Sequence, residues 1–377
     1  VLLLSSAAYG QESASLARRL AAGRKVAAFA GGSKFVATAS DGSAVAVVDR
    51  KRGVAVILSA EDGAVNESRR FKGVSSIALL PNGRGYWLGL DDGSLVHVPT
   101  RGDMRSFEVV PGKRIDGLSL GGGHVAWSSS AADRGGVVDA RSGKERFATD
   151  APFGGYRQPR MFLSRDARHV VHYARDSKSG GRRLLLVRDA VTGKQLASAN
   201  SYVSHRDRSH AFGLDGVFTA ARKTKGWHLH RLDLVDLQNH VIDDDLRGKH
   251  FVDLSMSPSA HYLLEGDFED KGAMLYHLAD GGAHRSLLGD KVMALGFLGA
   301  ADYGEELALT TGEVSRKGIT VWSTKTSKKI IELPFVRGER VSQVGSMLGG
   351  KALWLQRTAA KKDRSIVYHL EIVQFAR

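Results

Sequence analysis

Between Val292 and Phe335 four apolar runs stand out: VMALGFLG (292–299), ELALTT (306–311), ITVWST (319–324) and IIELPF (330–335). They are rich in Val, Ile, Leu and Trp, and Gly, Ser, Thr and Lys fill the gaps between them. Runs of that length bounded by turn formers read as β-strands, since a helix would need a longer segment with a 3.6-residue period. Four strands in about 42 residues make one small antiparallel sheet.

Working outward, the same pattern recurs along the chain. A unit starts at Val26 (VAAFA, FVATAS, AVAVVD, GVAVIL), another at Val74 (VSSIALL, GYWLGL, SLVHV, MRSFEVV), and others near 115, 160, 210, 251 and 342. Including the opening stretch there are eight, spaced 41 to 50 residues apart. A period in that range, built from strands, is a propeller signature. The reading is all-β: a single β-propeller of four-stranded antiparallel blades, eight in number, with seven as the alternative if two units merge. The last unit runs out of chain before its fourth strand. A ring must tie its ends or leave an open sheet edge, so an N-terminal strand is expected to complete the last blade, at residues 14–20 (ASLARRL). Helix is the competing reading there, because Ala, Leu and Arg are good helix formers.

Ser257-Pro258-Ser259-Ala260 followed by HYLL, Leu80-Pro81-Asn82-Gly83, and Ile319-Thr320-Val321-Trp322 followed by KTSKKI resemble the inner hairpin and third strand of WD40-like propellers. The register repeats in Val47-Val48-Asp49-Arg50, in Val138-Asp139 to Lys144, and in Arg188-Asp189 to Lys194. The chain thus resembles the WD40-like and quinoprotein-like β-propeller repeat proteins over residues 15–377, with degenerate motifs: only Gly123-His124 and Trp322-Ser323 stand where strict members carry Gly-His and Trp-Asp. That resemblance implies the fold and little about activity.

Composition narrows the function classes. The 377 residues include no Cys, which excludes disulfides, thiolate metal sites and a cysteine nucleophile. A net charge of +14 favours polyanionic partners. Residues 1–10 (VLLLSSAAYG) run from apolar to small side chains and read as a signal-peptide remnant, with residues 11–377 as a single propeller domain. The expected location is therefore periplasmic or extracellular, with the cytoplasm as the alternative. No run approaches the about 20 apolar residues of a membrane span.

Most motif candidates dissolve on inspection. His205-Arg206-Asp207 mimics a kinase loop without its companions, Arg101-Gly102-Asp103 reads as a turn, and Asp243-Asp244-Asp245 reads as a solvated outer loop. His169 and His172 fall on opposite faces of a strand, whereas His228 and His230 share one, a two-ligand hint of a metal site without a third member. No serine elbow, paired-carboxylate spacing or phosphate cradle is present. No catalytic residue, cofactor or metal site is assigned.

Charge is the informative signal. In each blade the turn between second and third strands opens at the same end. In four units these turns hold Arg175, Lys178, Arg182 and Arg183; Arg222, Lys223 and Lys225; Arg316 and Lys317; and Arg357, Lys361, Lys362 and Arg364. Against these 13 bases stand three acids, Asp176, Glu313 and Asp363. The matching turns elsewhere read as acidic, through Asp41, through Asp91 and Asp92, and through Glu265, Asp267, Glu269 and Asp270. The sequence therefore points to a non-enzymatic, exported binding scaffold whose basic rim contacts a macromolecular partner or an anionic envelope surface or glycan. The alternatives are an enzyme with a central-channel site, quinoprotein-like or lactonase-like, and a cytosolic nucleic-acid-binding propeller. Aromatic residues are almost absent from the basic turns, which weakens nucleic-acid stacking.

Overall fold

A computed structural model describes residues 14–31, 35–39, 41–49, 52–81, 85–150, 161–176, 182–200, 210–213, 215–223, 226–246, 252–267, 272–279, 284–289, 294–300, 303–311, 318–334, 339–360 and 366–375. After a helix over residues 14–21 comes β1 (Arg24–Gly31). The first blade then holds β2 (Phe35–Thr38), β3 (Ala44–Asp49), β4 (Val54–Ser59) and β5 (Val65–Arg70). The second holds β6 (Val74–Leu79), β7 (Gly85–Leu90), β8 (Ser94–Pro99) and β9 (Arg105–Glu108). The third holds β10 (Gly117–Gly121), β11 (His124–Ser129), β12 (Arg134–Asp139) and β13 (Glu145–Asp150). The fourth holds β14 (Met161–Leu163), β15 (His169–Asp176), β16 (Arg182–Asp189) and β17 (Gln195–Asn200). The fifth holds β18 (His210–Phe212), β19 (Gly216–Lys223), β20 (Gly226–Asp233) and β21 (Asn239–Leu246). The sixth holds β22 (Val252–Met256), β23 (Tyr262–Asp267), β24 (Ala273–His277) and β25 (His284–Gly289). The seventh holds β26 (Ala294–Leu298), β27 (Leu307–Thr311), β28 (Gly318–Ser323) and β29 (Lys329–Pro334). The last holds β30 (Glu339–Met347), β31 (Ala352–Ala360) and β32 (Ile366–Gln374).

These form eight four-stranded sheets, each in simple up-and-down order, so the fold is the eight-bladed β-propeller that the period required. Second and third strands are covered on both faces and read as continuous apolar runs; β3 and β28 are buried at every position. Fourth strands meet solvent and turn polar, as in Arg105-Ser106-Phe107-Glu108. The opening stretch forms the seventh blade as read, with Leu307, Leu309, Ile319 and Val321 in one buried cluster.

Two expectations about the N-terminus change. The last sheet is completed by a strand from the N-terminus, but that strand is β1, which pairs antiparallel with β32 from Arg24↔Gln374 to Gly31↔Tyr368. Residues 14–21 are helical instead, and Leu16 and Leu20, four apart on one helix face, pack against the cluster that holds Leu298 and Phe375. Arg19 lies over the Tyr303 ring at 5.2 Å. The buried Glu371 carboxylate of β32 meets both Lys25 of β1 and Arg357 of β31, so one acid ties the closing strand to the two strands beyond it. Giving Val26–Ala30 to the last blade shifts the first blade by one strand. Its fourth strand is then β5, and the Asp41 turn joins its first and second strands.

The chain forms two compact units. In the one built from residues 33–57 and 65–252, Ser75 Oγ donates to the carbonyl of Ile115 at 2.7 Å, and Ser119 Oγ accepts from the Leu163 N–H at 3.1 Å. In the other, residues 1–32, 58–64 and 253–377, Glu306 accepts from the Ser259 N–H (2.7 Å) and Oγ–H (2.6 Å), and Ser346 Oγ accepts from the Gly299 N–H at 3.0 Å. Every one of these partners lies 40 to 47 residues away, one blade on. Polar side chains thus stitch the second blade to the third, the third to the fourth, the sixth to the seventh and the seventh to the eighth, where buried backbone would otherwise lack a partner.

Candidate functional site

Up-and-down order sends the connections to alternate ends of every blade. Second-to-third turns and blade-to-blade links lie at one end; first-to-second and third-to-fourth turns lie at the other. Of the expected basic residues, Arg175, Arg182 and Arg183 belong to the paired ends of β15 and β16, and Arg222 and Lys223 to the end of β19. Lys178, Lys225, Arg316, Lys317, Lys361, Lys362 and Arg364 lie outside the described residues.

Arg357 does not belong with them. The β31–β32 hairpin continues to Ala360↔Ile366, which leaves Arg357 inside the strand, 5 % exposed and paired with Glu371. Its charge is spent on strand closure. Glu265 is likewise 5 % exposed within β23, so it contributes nothing to an acidic rim. Asp243, Asp244 and Asp245 are strand residues of β21, not a loop, and Asp243 is buried. The reframed first blade adds what sequence reading missed: its second-to-third turn is residues 50–53, Arg-Lys-Arg-Gly, in place of the acidic Asp41 turn. Arg52 there is exposed, with Nε 3.7 Å from Asp49.

The third-to-fourth turns have a chemistry of their own. Asp139 Oδ1 accepts from the Arg141 and Ser142 N–H groups and from Ser142 Oγ at 2.8 to 3.1 Å; Asp189 repeats this with Val191 and Thr192 at 2.6 to 3.0 Å. These donors, led by the backbone N–H of residue i+3, hold both carboxyls below the usual carboxylate range. In five of these turns the fifth position has positive φ: Gly63 (72°), Gly143 (71°), Gly193 (72°), Leu237 (62°) and Ser327 (56°). One oxygen of each carboxylate is thus engaged by its own turn, and the second oxygen of Asp139 accepts from Arg146 at 2.6 Å.

His172 and His230 are buried residues of the blades. His172 is fully buried and its Nε2 accepts from Arg188 Nε at 2.9 Å; desolvation, then the nearby guanidinium, push its pKa down to about 3. Trp322 makes the corresponding link in the seventh blade, its Nε1 donating to Thr310 Oγ1 at 2.8 Å. His228 and His230 do share a face, ring centroids 6.2 Å apart, but His230 faces Asn239 at 3.2 Å. Among the described residues no group of three His, Asp or Glu side chains could hold a metal ion, and no helix is long and apolar enough to cross a membrane.

No family model matches the chain, and no curated protein matches it. Solved structures do. BamB from Moraxella catarrhalis superposes with a TM-score of 0.61 at 14% identity, covering 94% of this chain and 100% of that one. The Dos1 propeller gives 0.62 at 12% identity, covering 94% and 96%. A chain of a mitotic checkpoint complex gives 0.51 at 12% identity, covering 94% of each. At these identities the likeness shows the fold alone: a β-propeller architecture shared over 94% of the chain.

Proposed function

We propose that this chain is a non-enzymatic, exported binding scaffold, and that it holds an acidic macromolecular partner at the end of its blades where second-to-third turns and blade-to-blade links emerge. What supports the reading is how sequence charge divides between the two ends. In the unit of residues 33–57 and 65–252, connections at that end carry 15 Lys or Arg against 5 Asp or Glu; those at the other end carry 7 against 5. The other unit repeats the bias, with 8 against 5 and 3 against 6. Charges scattered only for solubility have no reason to prefer one end, and a one-sided field steers and holds a partner of opposite sign. The three similar structures include one from a multiprotein assembly, which favours a protein partner. Export rests on the apolar-to-small run of residues 1–10.

The test compares two quadruple reversals of equal charge. Lys178, Lys225, Lys361 and Lys362 to Glu changes the basic end; Lys144, Lys194, Lys328 and Lys351 to Glu changes the other. On immobilised polyglutamate the first variant should elute at markedly lower salt than the second. Equal elution of the two refutes the assignment to one end. Fractionation of cells expressing the chain tests export, and recovery wholly in the cytoplasm refutes that part.

A further inference from the structure

The outer strand of the first blade, β5, differs from the outer strands of the second to seventh blades. It is a sheet edge, hydrogen-bonded on one side only, to β4. Val65, Asn66, Ser68, Arg69 and Arg70 are all exposed, whereas β9, β13, β17, β21, β25 and β29 each have at least one described side chain partly or wholly buried. The described side chains of the strand thus all lie at the surface. Val65 is 58% exposed, and Met104, just ahead of β9, is 53% exposed. Arg69 Nη1 reaches Met104 Sδ at 3.6 Å, so the two blades present one patch with apolar and basic members. Residues 65–72 carry Arg69, Arg70 and Lys72 against Glu67, and Arg52 lies in the connection between β3 and β4.

We propose that β5 is a docking edge for an extended acidic segment of a protein partner, which adds to the first blade as a fifth strand. An exposed edge offers unpaired N–H and C=O groups as a template for another strand. Charge complementarity chooses the occupant: acids beside Arg69 and Arg70, and a small apolar residue beside Val65 and Met104. A basic or nucleic-acid partner is disfavoured, the first by repulsion and the second because no exposed aromatic ring accompanies the cations. The strand itself is not one of the basic connections, although Arg52 and Lys72 beside it belong to them, and the inference shares with the scaffold reading the premise of an acidic protein partner.

The experiment uses the full chain and two labelled hexapeptides, acetyl-EETVTV-amide and its reversal acetyl-VTVTEE-amide, followed by fluorescence anisotropy. One orientation should bind, and Arg69→Glu with Arg70→Glu should weaken it about tenfold or more. N-methylation of the bound peptide at alternate residues should abolish binding in one frame and spare it in the other, because only alternate N–H groups of a strand face the edge. Absence of binding by both peptides overturns the proposal and leaves Arg69 and Arg70 as edge protection. Equal loss in both methylated frames, or in neither, also overturns it. If Lys178→Glu with Lys225→Glu weakens the peptide while the Arg69/Arg70 reversal does not, β5 is refuted and the basic connections stand; the opposite pattern refutes the connections as the site of acidic binding. Both double variants alter charged positions alone, and their melting curves establish that each is folded.

Discussion

Gly143 and Gly112 have nearly the same backbone conformation, φ 71° and 67°, in very different surroundings. A Cβ built on Gly112 meets nothing within 4 Å. On Gly143 it would sit 2.1 Å from Cε1 and 2.3 Å from Cδ1 and Cζ of Phe107, whose ring comes from the preceding blade. That ring cannot swing away freely, for it stacks on Trp87 at 5.7 Å and Trp87 is fully buried. Gly112→Ala therefore carries only the left-handed backbone penalty, about 1–2 kcal/mol. Gly143→Ala carries the same penalty plus the displacement of a packed ring, a further 1–3 kcal/mol or so.

The assay is urea unfolding of the two single variants, of Phe107→Ala, and of Phe107→Ala combined with Gly143→Ala, with midpoints compared at unchanged slope. Removing the ring should erase the excess, so Gly143→Ala in the Phe107→Ala background should cost about what Gly112→Ala costs. The coupling between positions 107 and 143 would then be 1–3 kcal/mol or so. If Gly143→Ala is no more costly than Gly112→Ala, or if its excess survives loss of the ring, the claim that this glycine accommodates the neighbouring blade is wrong.

His172 makes the fold acid-sensitive: its folded pKa lies near 3, below the ordinary 6.5, so stability is complete above pH 6.5 and drains as pH falls toward 3. The loss is up to about 5 kcal/mol, and it should shrink in His172→Gln, whose amide oxygen can still accept from Arg188; parallel pH–stability curves for the two proteins would refute the assignment. Glu306→Ala should cost about 2–3 kcal/mol by stranding the Ser259 N–H, with Glu306→Gln costing less, as read from denaturation midpoints. Glu371→Gln should cost about 3–5 kcal/mol, since Arg357 stays buried without its counter-charge. Hydrogen exchange in that variant should accelerate across Arg24–Gly31 first; an unchanged β1 would mean that Glu371 does not hold the closing strand.

The blade count was legible because a strand buried on both faces writes itself as an apolar run, and such runs recur in eight units 41 to 50 residues apart. The partner of a strand is not written that way. Val26–Ala30 has the same alternation whether it opens the first blade or closes the last, and only pairing with β32 decides. The helix at 14–21 was legible in its Ala, Leu and Arg, all good helix formers, a signal outweighed by the demand for a strand at that point. Arg357 and Glu265 misled for another reason. Hairpin length cannot be read from charge, so a basic or acidic residue near a turn looks exposed until its strand proves long enough to bury it.

The same difficulty explains why the repeat looks so worn. In the third and fourth blades the fifth turn residue is glycine because an aromatic ring from the blade before fills the space: Phe107 against Gly143, Phe147 against Gly193. In the fifth blade the position of Phe147 is taken by Ala197 and the glycine by Leu237, and these two pack in one cluster with Leu196. The volume has crossed from one side of the contact to the other. Each half of the exchange erases a repeat signature in a linear comparison, yet together they preserve the packing, at the cost of placing Leu237 at φ 62°. Volume-conserving swaps are the changes a core tolerates best. Ala197→Phe should therefore destabilise alone by overpacking and Leu237→Gly alone by leaving a cavity, while the double variant should recover most of both losses. It should even gain the roughly 1 kcal/mol that a leucine forfeits in the left-handed region. Additive losses in the double variant would show that the two positions do not share one space.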